Sequence, residues 1–251
     1  MSRRLATLAV PLLALAAAAA PTPAADPAAR PSAMPATPGV ESFEKWTTQC
    51  MQLGNADACA WVGMAFLSGK GLPKDPARAE PFLDRACTLD ARTCTGLGLL
   101  RQRAQPPDLV QAAQLFARAC DGDEPQACHL LGLALRRGAG LPEDRARAVR
   151  LQERACGSGV AAGCAELGAA LATGDGVARD AARAAPLLRA ACDASDPFGC
   201  RRLGDVLAHG AAGVERDLSR ARQAYDRACR LGAAAGCERL KQSARATLIE
   251  P

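Results

Sequence analysis

Five times along the chain an aspartate opens a segment whose apolar residues recur at the fourth, seventh and eleventh places after it. The openers are Asp75, Asp108, Asp144, Asp180 and Asp217. The fourth place holds Ala79, Ala112, Ala148, Ala184 and Ala221, and the eleventh Ala86, Ala119, Ala155, Ala191 and Ala228. Phe82, Leu115, Leu151 and Leu187 stand at the seventh. Such a stripe is one buried face of an α-helix. Aspartate suits the cap before it, because its carboxylate accepts a bond from a first-turn N–H that has no partner within the helix. Pro76, directly after Asp75, is a favourable first helical residue. The spacing predicts five helices of one fixed length, termed B.

A second set of segments alternates with these. Val62-Gly63, Leu97-Gly98, Leu131-Gly132, Leu167-Gly168 and Leu203-Gly204 lie in register. A glycine inside a helix costs about 1 kcal/mol against alanine, so five in register predict a compensating close approach of another helix backbone. These A helices run into Gly69 to Leu72, Gly138 to Leu141, Gly174 to Val177 and Gly210 to Val214. A glycine there takes the left-handed conformation that closes a helix, and the following Leu or Val packs back. Repeat two departs from the pattern. Arg101 to Pro107 replaces its glycine loop, which predicts an A helix truncated or turned differently.

Cysteines punctuate the alternation. The twelve stand as six close pairs whose first members recur every 33 to 37 residues, the signature of a stacked array in which each unit contacts mainly its neighbours. Repeats are expected at about 56–91, 92–124, 125–160, 161–196 and 197–233 within an ordered region at 41–248. A B-like half-repeat at 41–50 precedes them, and a capping A helix at 234–248 follows, with Lys241 where glycine belongs.

The N-terminal region bears on the chemistry of those thiols. Ser2-Arg3-Arg4 is a short basic start, and Leu5 to Ala20 is an apolar run of 16 residues, below the roughly 20 needed to span a bilayer. Small residues follow, so 1–24 is expected to be a signal peptide, cut after Ala24 or Ala19, and 25–40 a Pro/Ala-rich linker that cannot build a core. No cysteine occurs before Cys50, which argues against a lipid-modified N-terminus and for a periplasmic or secreted protein with no stable membrane insertion after cleavage. In an oxidising compartment an even count at regular spacing reads as a disulfide framework. The expected bridges are Cys50–Cys59, Cys87–Cys94, Cys120–Cys128, Cys156–Cys164, Cys192–Cys200 and Cys229–Cys237. Zinc sites want tighter cysteine spacing or clustered histidines, and only His129 and His209 exist, so neither metal nor cofactor is expected. A C-x-x-C redox motif and a C-x-x-C-H haem attachment are both missing from the sequence.

Composition agrees with an all-α fold. Apolar residues make up 49%, largely Ala and Leu, against 3% aromatics, the reverse of what strands want. The formal charge of +5 falls to +3 without Arg3 and Arg4, too mild to argue for nucleic acid.

The combined pattern C-x7-C-x2-L-G, then a G-x-G-V/L loop, Asp, and A-x-A-C is cleanest from Cys128 through Cys200. It resembles Sel1-like repeats, relatives of the tetratricopeptide repeat, and specifically the cysteine-rich subset typified by the Helicobacter cysteine-rich proteins, over residues 50–240. The first two pairs depart with nine- and seven-residue spacings, repeat two lacks the loop, and tyrosines are few. The resemblance implies an α/α superhelix, a solenoid of antiparallel helix pairs, clipped by disulfides, with A helices lining a concave groove for proteins or peptides. It also implies two alternatives: a weak β-lactamase or penicillin-binding enzyme, and an envelope or respiratory-complex assembly or chaperone factor.

If the register glycines hold the small-residue position of a tetratricopeptide-like helix, the groove carries Arg103, His129, Arg136, Arg137, Phe198, Arg201, Asp205 and His209, while repeat four offers mostly alanine. Arg103, Arg136 and Arg137 beside His129 form a basic cluster suited to carboxylates of a peptide terminus or acidic segment. A solvated arginine face is the alternative reading. For acyl-enzyme chemistry, Ser42-Phe43-Glu44-Lys45 matches S-x-x-K but lacks S-D-N and K-T-G companions, so chance accounts for it. The residues thus favour a noncatalytic exported scaffold.

Overall fold

The computed structural model describes residues 40–246. The expected signal peptide at 1–24 and the linker up to residue 39 lie outside them, as do residues 247–251. Among the described residues the fold is all-helical: α1 (Val40–Leu53), α2 (Ala56–Ser68), α3 (Pro76–Leu89), α4 (Cys94–Gln102), α5 (Leu109–Asp121), α6 (Pro125–Arg137), α7 (Arg145–Gly157), α8 (Ala161–Thr173), α9 (Ala181–Asp193), α10 (Pro197–His209), α11 (Leu218–Arg230) and α12 (Ala234–Ala246). Odd-numbered helices are B and even-numbered helices are A. Consecutive helices pack in pairs, and the pairs stack into a solenoid. None of the described helices is long and apolar enough to cross a membrane.

Local chemistry sets each boundary. All five aspartates cap their B helices, accepting from the N–H groups of Arg78, Gln111, Arg147, Arg183 and Arg220 at 2.8–3.0 Å. Three A helices stop at left-handed glycines, Gly69, Gly138 and Gly174, with φ of 74°, 64° and 79°. Helix α4 has 9 residues where the other A helices have 13. Three of the four missing residues fall at its start, where a 3-10 turn at Ala91–Thr93 replaces the first α-helical turn, and one falls at its end, before Arg103. Cys87 and Cys94 are only seven residues apart, so the chain has one residue fewer in which to turn.

Each cysteine pair is a disulfide joining the end of a B helix to the beginning of the next A helix, with Cα atoms 4.3–4.7 Å apart. The fourth- and eleventh-place alanines of the five aspartate-capped B helices, α3, α5, α7, α9 and α11, are buried. Phe82, Leu115, Leu151 and Leu187 at the seventh place are only half-buried, Ala224 alone being buried there, and the eighth place carries the core in every case: Leu83, Phe116, Gln152, Leu188 and Tyr225 are 0–5% exposed. A B helix packs on the A helix before it as well as the one after it, so its buried arc is wider than a single seam.

The eighth place explains the register glycines. A Cβ at Gly63, Gly98, Gly132, Gly168 or Gly204 would stand 2.5–2.7 Å from the eighth-place side chain of the following B helix. At the first four it would also lie 3.2–3.3 Å from the fourth-place alanine carbonyl, so backbone and side chain both close in. In the third pair the filler is polar. Gln152 Nε2 donates to the His129 carbonyl at 3.1 Å, and its Oε1 lies 2.9 Å from His129 Nδ1. Two hydrophobic clusters meet there, one reaching α7 through Ala148 and Ala155, the other through Val149.

Candidate functional site

Directly after the register glycine stand Met64, Leu99, Leu133, Ala169 and Asp205, and three places before it Ala60, Thr95, His129, Ala165 and Arg201. At these two places α8 therefore offers only alanine, between helices α6 and α10 that carry larger side chains. The result is a cleft of about 590 Å³, floored by Ala169, Ala170 and Thr173. Arg136 of α6 stands on one side and Phe198, Arg201 and Arg202 of α10 on the other, while Gly174 to Gly176 and Arg145 close one end. A smaller hollow of about 140 Å³ shares Thr173 and Arg202 with it and adds Asp205, Val206 and His209.

The arginines are held by carboxylates. Arg136 binds Glu166 through both terminal nitrogens, at 2.8 and 3.3 Å, and the Glu166 side chain is 12% exposed. Asp205, 13% exposed, receives Arg201 at 3.1 Å and Arg202 at 3.5 Å on one oxygen. Its other oxygen accepts from the Tyr225 hydroxyl at 3.1 Å and lies 3.3 Å from Arg239 Nε. Burial, followed by the charge of Asp205 and its hydrogen bond, holds the Tyr225 phenol protonated well above its ordinary range. Arg145 bridges Glu143 at 2.6 Å and Asp175 at 2.9 Å, and those hydrogen bonds strengthen its hold on its proton. The Arg201 guanidinium carbon lies 5.1 Å from the Phe198 ring centroid and that of Arg202 6.0 Å. Such placement gives cation–π attraction and fixes the guanidinium planes.

The structure gathers Arg136 and Arg201 in the larger cleft and Asp205 and His209 in the smaller. His209 Nδ1 sits 2.7 Å from the Asp205 carbonyl. Arg103 and Arg137 are exposed and line neither cleft. His129 is 6% exposed and engaged with Gln152, so it does not stand beside Arg136 as part of a basic surface. Sequence reasoning passed over Arg145, Thr173 and Arg202. Thr173 occupies the same place in its repeat as His209, so the groove register that gave His209 could have given it, whereas Arg202 follows Arg201 and nothing local marks it as facing a cleft. Arg145 reaches it through Asp175, 30 residues on, a contact that only the stacking of repeats brings about.

A Sel1 repeat model matches residues 56–90, 91–124, 125–160, 161–196 and 197–232, well over half of the chain. The chain belongs to the Sel1 repeat family. The cleft is thus built on the A helices of its third, fourth and fifth Sel1 repeats. Mouse cytochrome c oxidase assembly factor 7 is 32% identical over 89 residues, 32% of this chain and 38% of that protein. Among solved structures, a protective antigen of uropathogenic Escherichia coli strains with the Sel1-like repeat fold superposes with a TM-score of 0.67 at 27% identity. The match covers 79% of this chain and 43% of that one. A Sel1 repeat protein from Oxalobacter formigenes gives a TM-score of 0.69 at 22% identity, covering 80% and 82% of the two chains. This chain therefore spans less than half the length of the mouse relative and of the antigen.

Proposed function

We propose that this Sel1 repeat protein is a noncatalytic, exported scaffold that holds a protein or peptide partner against the A-helix face of its last three repeats. The observation that carries the reading is the cleft over α8, where three successive repeats leave space that alanines do not fill. A repeat array specifies a surface rather than a reaction, and a concave site with a few placed polar groups is where such a surface binds. Six disulfides fit an oxidising, extracytoplasmic compartment. Ser42 and Lys45, the residues that a β-lactamase reading needs, lie on α1, which packs on α2 and not on the helices that form the cleft.

Thr173 is exposed on the last turn of α8 and lines both hollows, so Thr173→Trp fills them without altering charge. Affinity capture from envelope extract with the oxidised protein, read by mass spectrometry, should recover partners that this variant loses. An unchanged set would place binding elsewhere. The name of the mouse relative favours a second reading, in which the same face holds assembly clients transiently. Captured proteins would then be several and substoichiometric rather than one at equal amount.

A further inference from the structure

We infer that the cleft is a receptor for an extended acidic peptide segment, whose aspartate or glutamate carboxylates are read by Arg136, Arg201 and Arg202. The inference rests on the scaffold reading of the same cleft and adds the chemistry of what it takes. The lining presents four guanidinium groups, those of Arg136, Arg145, Arg201 and Arg202, to a single carboxylate, that of Asp175. The acids that fix the arginines, Glu166 and Asp205, do not line the larger cleft. They work as holders.

An arginine carries five N–H donors, and these holders engage few of them. Arg201 and Arg202 each give one terminal nitrogen to Asp205, the latter at only 3.5 Å. The guanidinium groups are therefore oriented before a ligand arrives while retaining donors for it, an arrangement that lowers the ordering cost of binding. Phe198 beneath Arg201 offers an apolar contact beside the charges. A cationic segment would meet repulsion, and a neutral one would leave the guanidinium donors without an anionic acceptor.

Spacing selects the form of the anion. Arg136 stands on α6 and Arg201 and Arg202 on α10, with the alanine floor of α8 between them. Positive charges separated by an intervening helix match carboxylates distributed along an extended chain better than one compact phosphate. In an extended peptide alternate side chains face the same way, which sets successive acidic residues along such a path.

The experiment is fluorescence anisotropy on the oxidised full chain, with a labelled peptide of sequence Glu-Ala-Glu-Phe-Glu-Ala-Glu as the probe. Its counterpart with every glutamate replaced by glutamine should bind about tenfold more weakly or worse. Affinity for the acidic probe should fall as salt rises from about 0.05 to 0.3 M, because exposed charge pairs are screened over that range. Arg202→Gln and Arg136→Gln should each weaken it by about fivefold or more, and Arg150→Gln, the same charge change on the exposed side of α7, should not. Thr173→Trp keeps the charge and should block the probe. Equal binding of the two peptides, wild-type affinity in Arg202→Gln, or displacement by inorganic phosphate well below the concentration at which chloride acts would overturn the assignment. If captured partners are lost in Thr173→Trp but kept in Arg136→Gln and Arg202→Gln, the acidic specificity falls while the scaffold stands. If the acidic probe binds as described and Thr173→Trp retains every partner, the receptor stands and the scaffold reading of this face falls.

Discussion

At the scale of single residues, Asp205 does the most. It anchors Arg201, Arg202 and Arg239 and accepts from Tyr225, the filler that closes the last register glycine. Tyr225 is the only tyrosine in the chain, so its ionisation can be followed alone by phenolate absorbance. An unfolded tyrosine ionises near pH 10. Burial, then the Asp205 charge, moves the folded value upward, so above about pH 10 the unfolded chain binds fewer protons than the folded one. Stability contributed by the neutral phenol is therefore complete below that pH and declines as pH rises through and beyond it. Urea midpoints between about pH 8 and 11 should fall for the wild type and fall less steeply for Tyr225→Phe. A phenolate signal appearing at the ordinary pH in the folded protein would contradict the burial and charge argument.

At the scale of helices, the A/B seam depends on the absence of one carbon. Gly168→Ala gains up to about 1 kcal/mol of helix propensity, yet its Cβ would meet Leu188 Cγ at 2.7 Å and the Ala184 carbonyl at 3.3 Å. Overpacking of this kind costs about 1–3 kcal/mol, so the variant should be destabilised in urea. Gly157→Ala, at a helical position where an added Cβ meets nothing within 4 Å, should be neutral or stabilising. Equal effects of the two would deny the seam its role. Caps and register glycines were legible in the sequence because they act over a single turn. The five aspartates cap as their spacing implies, and the five glycines mark the contact. The eighth-place residues were not legible, since one stripe does not reveal that a B helix serves two A neighbours. Nor was the fate of each arginine. Arg136 finds Glu166 thirty residues on and Arg154 finds Asp123 about as far back, whereas Arg103 and Arg137 find no such partner in the hydrogen bonds and ion pairs described. Repeat four's alanines were visible as a composition. That they floor a cleft follows only from the larger side chains on the helices at either side.

At the scale of the whole array, the disulfides are not equivalent. Each closes a loop of about eight residues, worth roughly 2.5 kcal/mol through restriction of the unfolded chain before strain is subtracted. Thiol–disulfide exchange also requires access to a sulfur. Both cysteines of the Cys156–Cys164 and Cys229–Cys237 bridges are half-buried, whereas those of the other four bridges are buried. Graded reduction with dithiothreitol, followed by alkylation and peptide mapping, should label those four cysteines first. The order matters for binding because both accessible bridges lie in the half of the array that carries the cleft or the Asp205 cluster that holds its arginines. Cys156–Cys164 ties α7 to α8, which provides the floor, and Cys229–Cys237 ties α11 to α12, which supplies Arg239 to the Asp205 cluster. An array whose units contact mainly their neighbours loses order locally when a clip opens. Mild reduction should therefore weaken capture on the A-helix face while helicity at the α1–α6 end persists, as hydrogen exchange resolved along the chain would reveal. Even labelling of all twelve cysteines, or loss of protection that begins at α1, would show that the array responds as one unit and that exposure of its bridges does not set the order.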